Sequence, residues 1–235
     1  MSGRTALVAG ATGLIGGHLV KLLVADPAYE KVVVLARRRL ENIASPKLQT
    51  IIADFDALDA ALSGIAVDDA FCALGTTIKV AGSQEAFRKV DHDYIAAFAR
   101  AAKAAGARRF LLVSAMGADA NSSIFYSRVK GETERAIRSI GFESLHIFRP
   151  GLLLGERREK RTGEEIGAAL TPFLNPLMLG PLRAYRSIKS ETVARAMAGA
   201  ALSGGAGDHI HTYDAITRFA GGLISGVCGK VPKKN

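Results

Sequence analysis

Tryptophan is absent from this chain of 235 residues, and aromatic residues make up only 6% of it. A stacking platform for single-stranded nucleic acid is therefore poorly supplied. There are two cysteines, Cys72 and Cys228, too few for a disulfide framework and without the spaced partners of a zinc site. A reducing cytoplasm is the expected milieu. The five histidines show no metal-ligand spacing. Long hydrophobic runs are missing too. The uncharged stretch 5–20 falls short of the ~20 residues of a membrane span and holds Gly10, Gly13, Gly16 and Gly17. Neither a signal peptide nor a membrane helix is expected there.

What is present is apolar and basic. The broad hydrophobic set reaches 49%, which is enough for a real core and excludes disorder. Lysine and arginine number 31 against 22 acids, a formal charge of +9. Such an excess suits a phosphate-bearing ligand, a membrane surface or nucleic acid. Some of the basic residues stand where a nucleotide phosphate would use them and the others are scattered, so nucleic acid and membrane are not the expected partners.

Short apolar strands alternate with stretches of helical period. Strands are expected at 5–9, 31–36, 48–53, 70–74, 110–114 and 145–148. Helices are expected at 14–25, 85–105, 122–140 and 190–202. Continuous apolar strands imply a sheet buried on both faces, and alternation implies parallel crossovers. The fold class is α/β, a Rossmann-like doubly wound parallel sheet, with ligands beyond the carboxyl ends of the strands. Residues 1–235 read as one domain. Within it, 151–185 and 203–228 are expected to build a small substrate-side lobe.

The first strand runs into Gly10-Ala11-Thr12-Gly13-Leu14-Ile15-Gly16 and then a helix. A pyrophosphate needs bare backbone there to reach the helix-terminal amides. Gly16 would also let the helix press on the strand. The second strand ends in Arg37-Arg38-Arg39 and carries no acid at its tip for ribose hydroxyls. Guanidiniums there fit a 2′-phosphate and hence NADPH, or else a solvated basic loop. Tyr126 and Lys130 stand four apart on a helix, so they share a face. An ammonium next to a phenol favours the phenolate and makes the phenol a useful acid or base. Ser114, ending the fifth strand, can hydrogen-bond a substrate carbonyl.

Taken together, the motifs GATGLIG, FCALGTT, VSAMGAD, YSRVKGE and FRPG resemble the short-chain dehydrogenase/reductase superfamily. The likeness is to its atypical branch of Tat-interacting oxidoreductase-like proteins, and it runs from about residue 5 to 202. It implies NADP(H) as cofactor and a Tyr126/Lys130 active pair. It places the phosphates on Thr12, Gly13, Leu14 and Ile15, and the 2′-phosphate on Arg37 and Arg38. Asp54 falls beside the adenine, Leu74 and Gly75 under the cofactor, Leu153 by the nicotinamide and Arg161 near the ligand.

Two departures stand out. Many relatives have a second serine where this chain has Ala115, which leaves Ser122 and Ser123 as spare candidates. Many members place a relay asparagine in the long helix, where this chain has Asp91. The expected function is an NADPH-dependent oxidoreductase transferring hydride to a carbonyl-like small molecule. The alternative is an NADPH-binding regulatory or scaffold protein with little turnover. The long helices also suit a homodimer bundle.

Overall fold

The computed structural model describes residues 3–38, 40, 43–154 and 180–222. In chain order, β1 (Arg4–Ala9) leads to α1 (Leu14–Ala25), β2 (Tyr29–Ala36), β3 (Leu48–Ile52), α2 (Leu58–Ala61) and β4 (Asp69–Cys72). Then come α3 (Ile78–Ala81), α4 (Gln84–Arg88), a π-helical turn (Lys89–Asp93), α5 (Tyr94–Ala104), β5 (Arg109–Val113), α6 (Phe125–Arg138) and β6 (Ser144–Phe148). The last part holds β7 (Leu153–Leu154), a 3-10 helix (Gly180–Tyr185), β8 (Ile188–Lys189), α7 (Ser190–Leu202), β9 (Gly207–His211) and α8 (Tyr213–Gly222).

Seven strands form one sheet in the order β3-β2-β1-β4-β5-β6-β9, every pair parallel. The chain builds outward from β1 to β3, then returns to lay β4 on the other side of β1. That reversal opens a crevice at the carboxyl ends of β1 and β4.

The run VVVL in β2 shows why the sheet is covered twice. Val32 and Val34 face one buried cluster with α1 and α7, while Val33 and Leu35 face another with α5. Period-two alternation of apolar residues on both faces leaves neither face for water. Buried alanines at 194, 196, 198, 200 and 201 let α7 sit close against its neighbours on the first face.

Two expectations change. The helix foreseen over 85–105 is α4 and α5 joined by the π-helical turn, because one extra residue is fitted there. Residues 203–228 were expected in the substrate-side lobe. The described part instead supplies β9, paired in register from Ser144↔Gly207 to Phe148↔His211, and α8. Its short polar strand GDHIH hides the apolar signal that a buried strand normally gives. Of 151–185, the described residues hold β7, which pairs with β8 in a small separate sheet, and the 3-10 helix.

Candidate functional site

The tips of three strands meet around Gly10. Ala9 lies opposite Leu35 on one side and Cys72 on the other. Gly10 has φ +85°, and a Cβ on it would collide with the Ala73 carbonyl. A Cβ on Gly16 would collide with the Gly10 carbonyl oxygen. Both positions therefore require glycine, the first for its left-handed backbone and the second for close approach. The turn closes with the Gly13 amide donating to the Gly10 carbonyl (3.0 Å).

Gly13 then caps α1 without any side-chain hydrogen bond, and the first turn carries no acid. Thr12 and Gly13 are exposed, Leu14 is half-buried, and Ile15 packs into the core. The helix thus presents bare amides and a favourable dipole to the crevice, the arrangement that accepts a phosphate.

Arg37 and Arg38 follow β2 immediately, both exposed, and neither makes an ion pair among the described residues. Arg39 and Arg161 lie outside the described residues. Asp54, exposed just beyond β3, accepts the Asp56 amide on Oδ1 (3.1 Å). After β4, Leu74 is half-buried and Gly75 exposed. Leu153 is half-buried against the α1/α7 cluster.

On α6, Tyr126 is half-buried with its ring 5.5 Å from that of the buried Phe87. One turn later Lys130 is buried, with Nζ 2.7 Å from Asp91 Oδ1. Burial works against the Lys130 charge. The Asp91 carboxylate and then the Tyr126 oxygen outweigh it, so the ammonium pKa ends above its usual value. Gly75 lines the same spot, where a Cβ would stand 3.8 Å from Lys130 Nζ. The residues that fit cofactor phosphates and the Tyr126–Lys130 pair thus flank one crevice, at the ends of β1 and β4.

Ser114 is placed differently. Its hydroxyl donates to Glu134 Oε1 (2.6 Å) inside a buried network. Glu134 also receives Arg149 Nε on Oε1 (2.9 Å) and Arg149 Nη2 on Oε2 (2.6 Å). Ser122 Oγ accepts the Ile124 amide just before α6 (3.1 Å).

Four participants were given no role by the sequence reading: Thr76, Thr133, Glu134 and Arg149. Thr76 and Arg149 fall within the motifs FCALGTT and FRPG, and Glu134 left a trace as an acid one turn beyond Lys130 on the same helix face. No group of three or more metal-ligating side chains occurs among the described residues, and none of their helices is long and apolar enough to cross a membrane.

A family model described as NAD(P)H-binding matches residues 10–202. The chain is 36% identical over 210 residues to Protein HTATIP2 of Rattus norvegicus, covering 88% of this chain and 85% of that one. It is 39% identical over 163 residues to "Protein fmp52, mitochondrial" of Emericella nidulans, covering 67% of this chain and 70% of that one. Among solved structures, WbmH of Bordetella bronchiseptica in complex with NAD+ superposes with TM-score 0.68 at 17% identity, over 95% of this chain and 81% of that one. Further fungal relatives also carry "mitochondrial" in their names, which overturns the cytoplasmic expectation. A low cysteine count speaks of a reducing milieu and names no compartment. The match spans both the glycine turn and the Tyr126–Lys130 helix, and so the chain belongs to the NAD(P)H-binding family and is a relative of Protein HTATIP2.

Proposed function

We propose that this chain is an NADPH-dependent oxidoreductase that reduces a carbonyl group of a small-molecule substrate. The observation that carries the reading is the buried Lys130 ammonium beside exposed Gly75, one helical turn from Tyr126. The glycine turn fits the cofactor's phosphates, since exposed Gly13 opens α1 with no side-chain cap and no acid in the first turn.

NADPH bound in the crevice would supply a hydride for the carbonyl carbon. Tyr126 gives its hydroxyl proton to the substrate oxygen as negative charge develops there, and recovers a proton from solvent. Lys130 holds positive charge next to that phenol and donates to ribose hydroxyls. Arg37 and Arg38, exposed just after β2, would hold the 2′-phosphate with paired donors. In this reading Asp54 would lie by the adenine, Leu74 and Gly75 under the cofactor and Leu153 on its nicotinamide side, while Arg161, matched by resemblance to a residue near the ligand, lies outside the described residues. The basic excess then serves a dinucleotide and not nucleic acid or membrane, and α5 with α6 are the faces for a homodimer.

Tyr126→Phe is the test. Turnover should drop by about 10³-fold while NADPH still binds as tightly. Undiminished turnover in that variant would refute the assignment.

One observation favours a second reading, an NADPH-binding regulator with little turnover. The Ser114 hydroxyl is held by Glu134, and the next position is Ala115, so the fifth strand offers no hydroxyl free to orient a carbonyl. A panel of aldehydes, ketones and quinones, followed by NADPH absorbance, separates the two. A silent panel alongside tight NADPH binding supports the regulator.

A further inference from the structure

Asp91 has no part in the proton transfer just described, yet it is fully buried. Its carboxylate reaches two elements. Oδ2 accepts the Thr76 amide (2.8 Å), which anchors the turn after β4. Oδ1 lies 2.7 Å from Lys130 Nζ and makes no well-angled hydrogen bond to any described residue. Its backbone reaches the same helix a second time, because Thr133 Oγ1 donates to the Asp91 carbonyl (2.8 Å). That carbonyl belongs to the π-helical turn, where the usual i→i−4 pattern is interrupted and a side-chain donor from α6 fills in.

The groups that face Lys130 are Asp91 from the π-turn, Tyr126 from its own helix and Cys72 from β4. Burial pushes the Cys72 thiol up to about 12, so it is neutral at physiological pH. The counter-charge comes from Asp91. An ammonium this deep without one would give up its proton.

We propose that Asp91 is a positioning residue, a carboxylate fixed by the Thr76 amide that keeps Lys130 charged and pointed at the crevice beside Gly75. This rests on the Tyr126–Lys130 reading above for its meaning in catalysis, though not for its test. The site thereby differs from one built on a relay asparagine: a neutral amide could hydrogen-bond the same neighbours but would not stabilise a buried ammonium.

The test follows the Cε chemical shift of isotope-labelled Lys130 against pH in the full-length protein, assigned by its loss in Lys130→Arg. In the unmodified chain the resonance should stay that of the ammonium from about pH 6 to 10. In Asp91→Asn it should titrate at least one unit lower, with NADPH affinity and kcat both falling, by about 10-fold, as pH rises through that midpoint. An unmoved midpoint in Asp91→Asn overturns the proposal. So does a Lys130 that titrates near neutrality in the unmodified chain, a measurement that holds even if the variant does not fold. A shifted lysine together with a fully active Tyr126→Phe would leave Asp91 in its role and remove the proton-transfer reading alone.

Discussion

Two buried aspartates lie near opposite ends of β4, and they are treated very differently. Asp69, at the first position of the strand, is saturated. Arg109 Nη1 meets Oδ1 (2.8 Å), the Tyr29 hydroxyl donates to Oδ2 (2.8 Å), and Arg4 stands at 3.5 Å. Burial, then the charge of Asp69, pushes the Tyr29 phenol above its ordinary range, so it stays a donor. Asp91, tied to the turn beyond the other end, has one amide and one ammonium, and exposed Gly75 lies beside it. A closed network supports only the fold. A network with one end open onto a crevice can respond to a ligand.

The sharpest way to break this contrast is to remove each carboxylate in turn. Asp69→Ala leaves two arginines and a phenol without their partner and should lower unfolding free energy by about 3–5 kcal/mol in urea titrations. Asp91→Asn keeps an acceptor for Thr76 and should be milder in stability while changing the pH behaviour of Lys130. Equal stability losses would erase the distinction.

The proposed function makes a second claim, that the exposed Arg37 and Arg38, which have no ion pair among the described residues, hold a phosphate. The double variant Arg37→Ala/Arg38→Ala should weaken NADPH binding by about 10- to 100-fold and leave NADH binding nearly unchanged, as read by calorimetric titration. Parallel losses for both cofactors would return these arginines to a solvated loop.

The closed side of the molecule carries the smallest expected effect. His146 Nδ1 and His211 Nε2 pair at 2.9 Å between β6 and β9, with Ser144 Oγ 3.0 Å from His146 Nε2. Burial, and then neighbouring positive groups, lowers His146 to about 3 and His211 to about 4. Unfolded, both bind protons near 6.5 while the folded state refuses them. Stability should therefore be full well above pH 6.5 and decline as pH falls through 6.5 toward 4. A flat stability profile over that window would show these rings to be less closed off than their packing indicates.

Much of this was legible in the residues. The runs TALVA and VVVLA announced buried parallel strands, and the glycine spacing announced a turn that Gly10 and Gly16 now justify by sterics. The face shared by Tyr126 and Lys130 followed from helical period. What stayed hidden depends on tertiary neighbours. GDHIH has neither apolar alternation nor length, and it becomes a strand because His209 and His211 meet His146 across β6. The tie between Ser114 and Glu134 joins residues twenty positions apart whose types announce nothing. The role of Asp91 depends on the π-turn, which no propensity foretells.

That turn also acts as a gear. Each residue advances an α-helix by about 100°, so the extra residue between α4 and α5 resets the phase of everything after it. With this offset, Phe87 meets Tyr126 while Phe98 and Ala102 still lock into the core layer under α5. Deleting a single residue from 89–93 would regularise the hydrogen-bond ladder and yet swing one end of the rod out of mesh, leaving a smoother helix and a dismantled crevice.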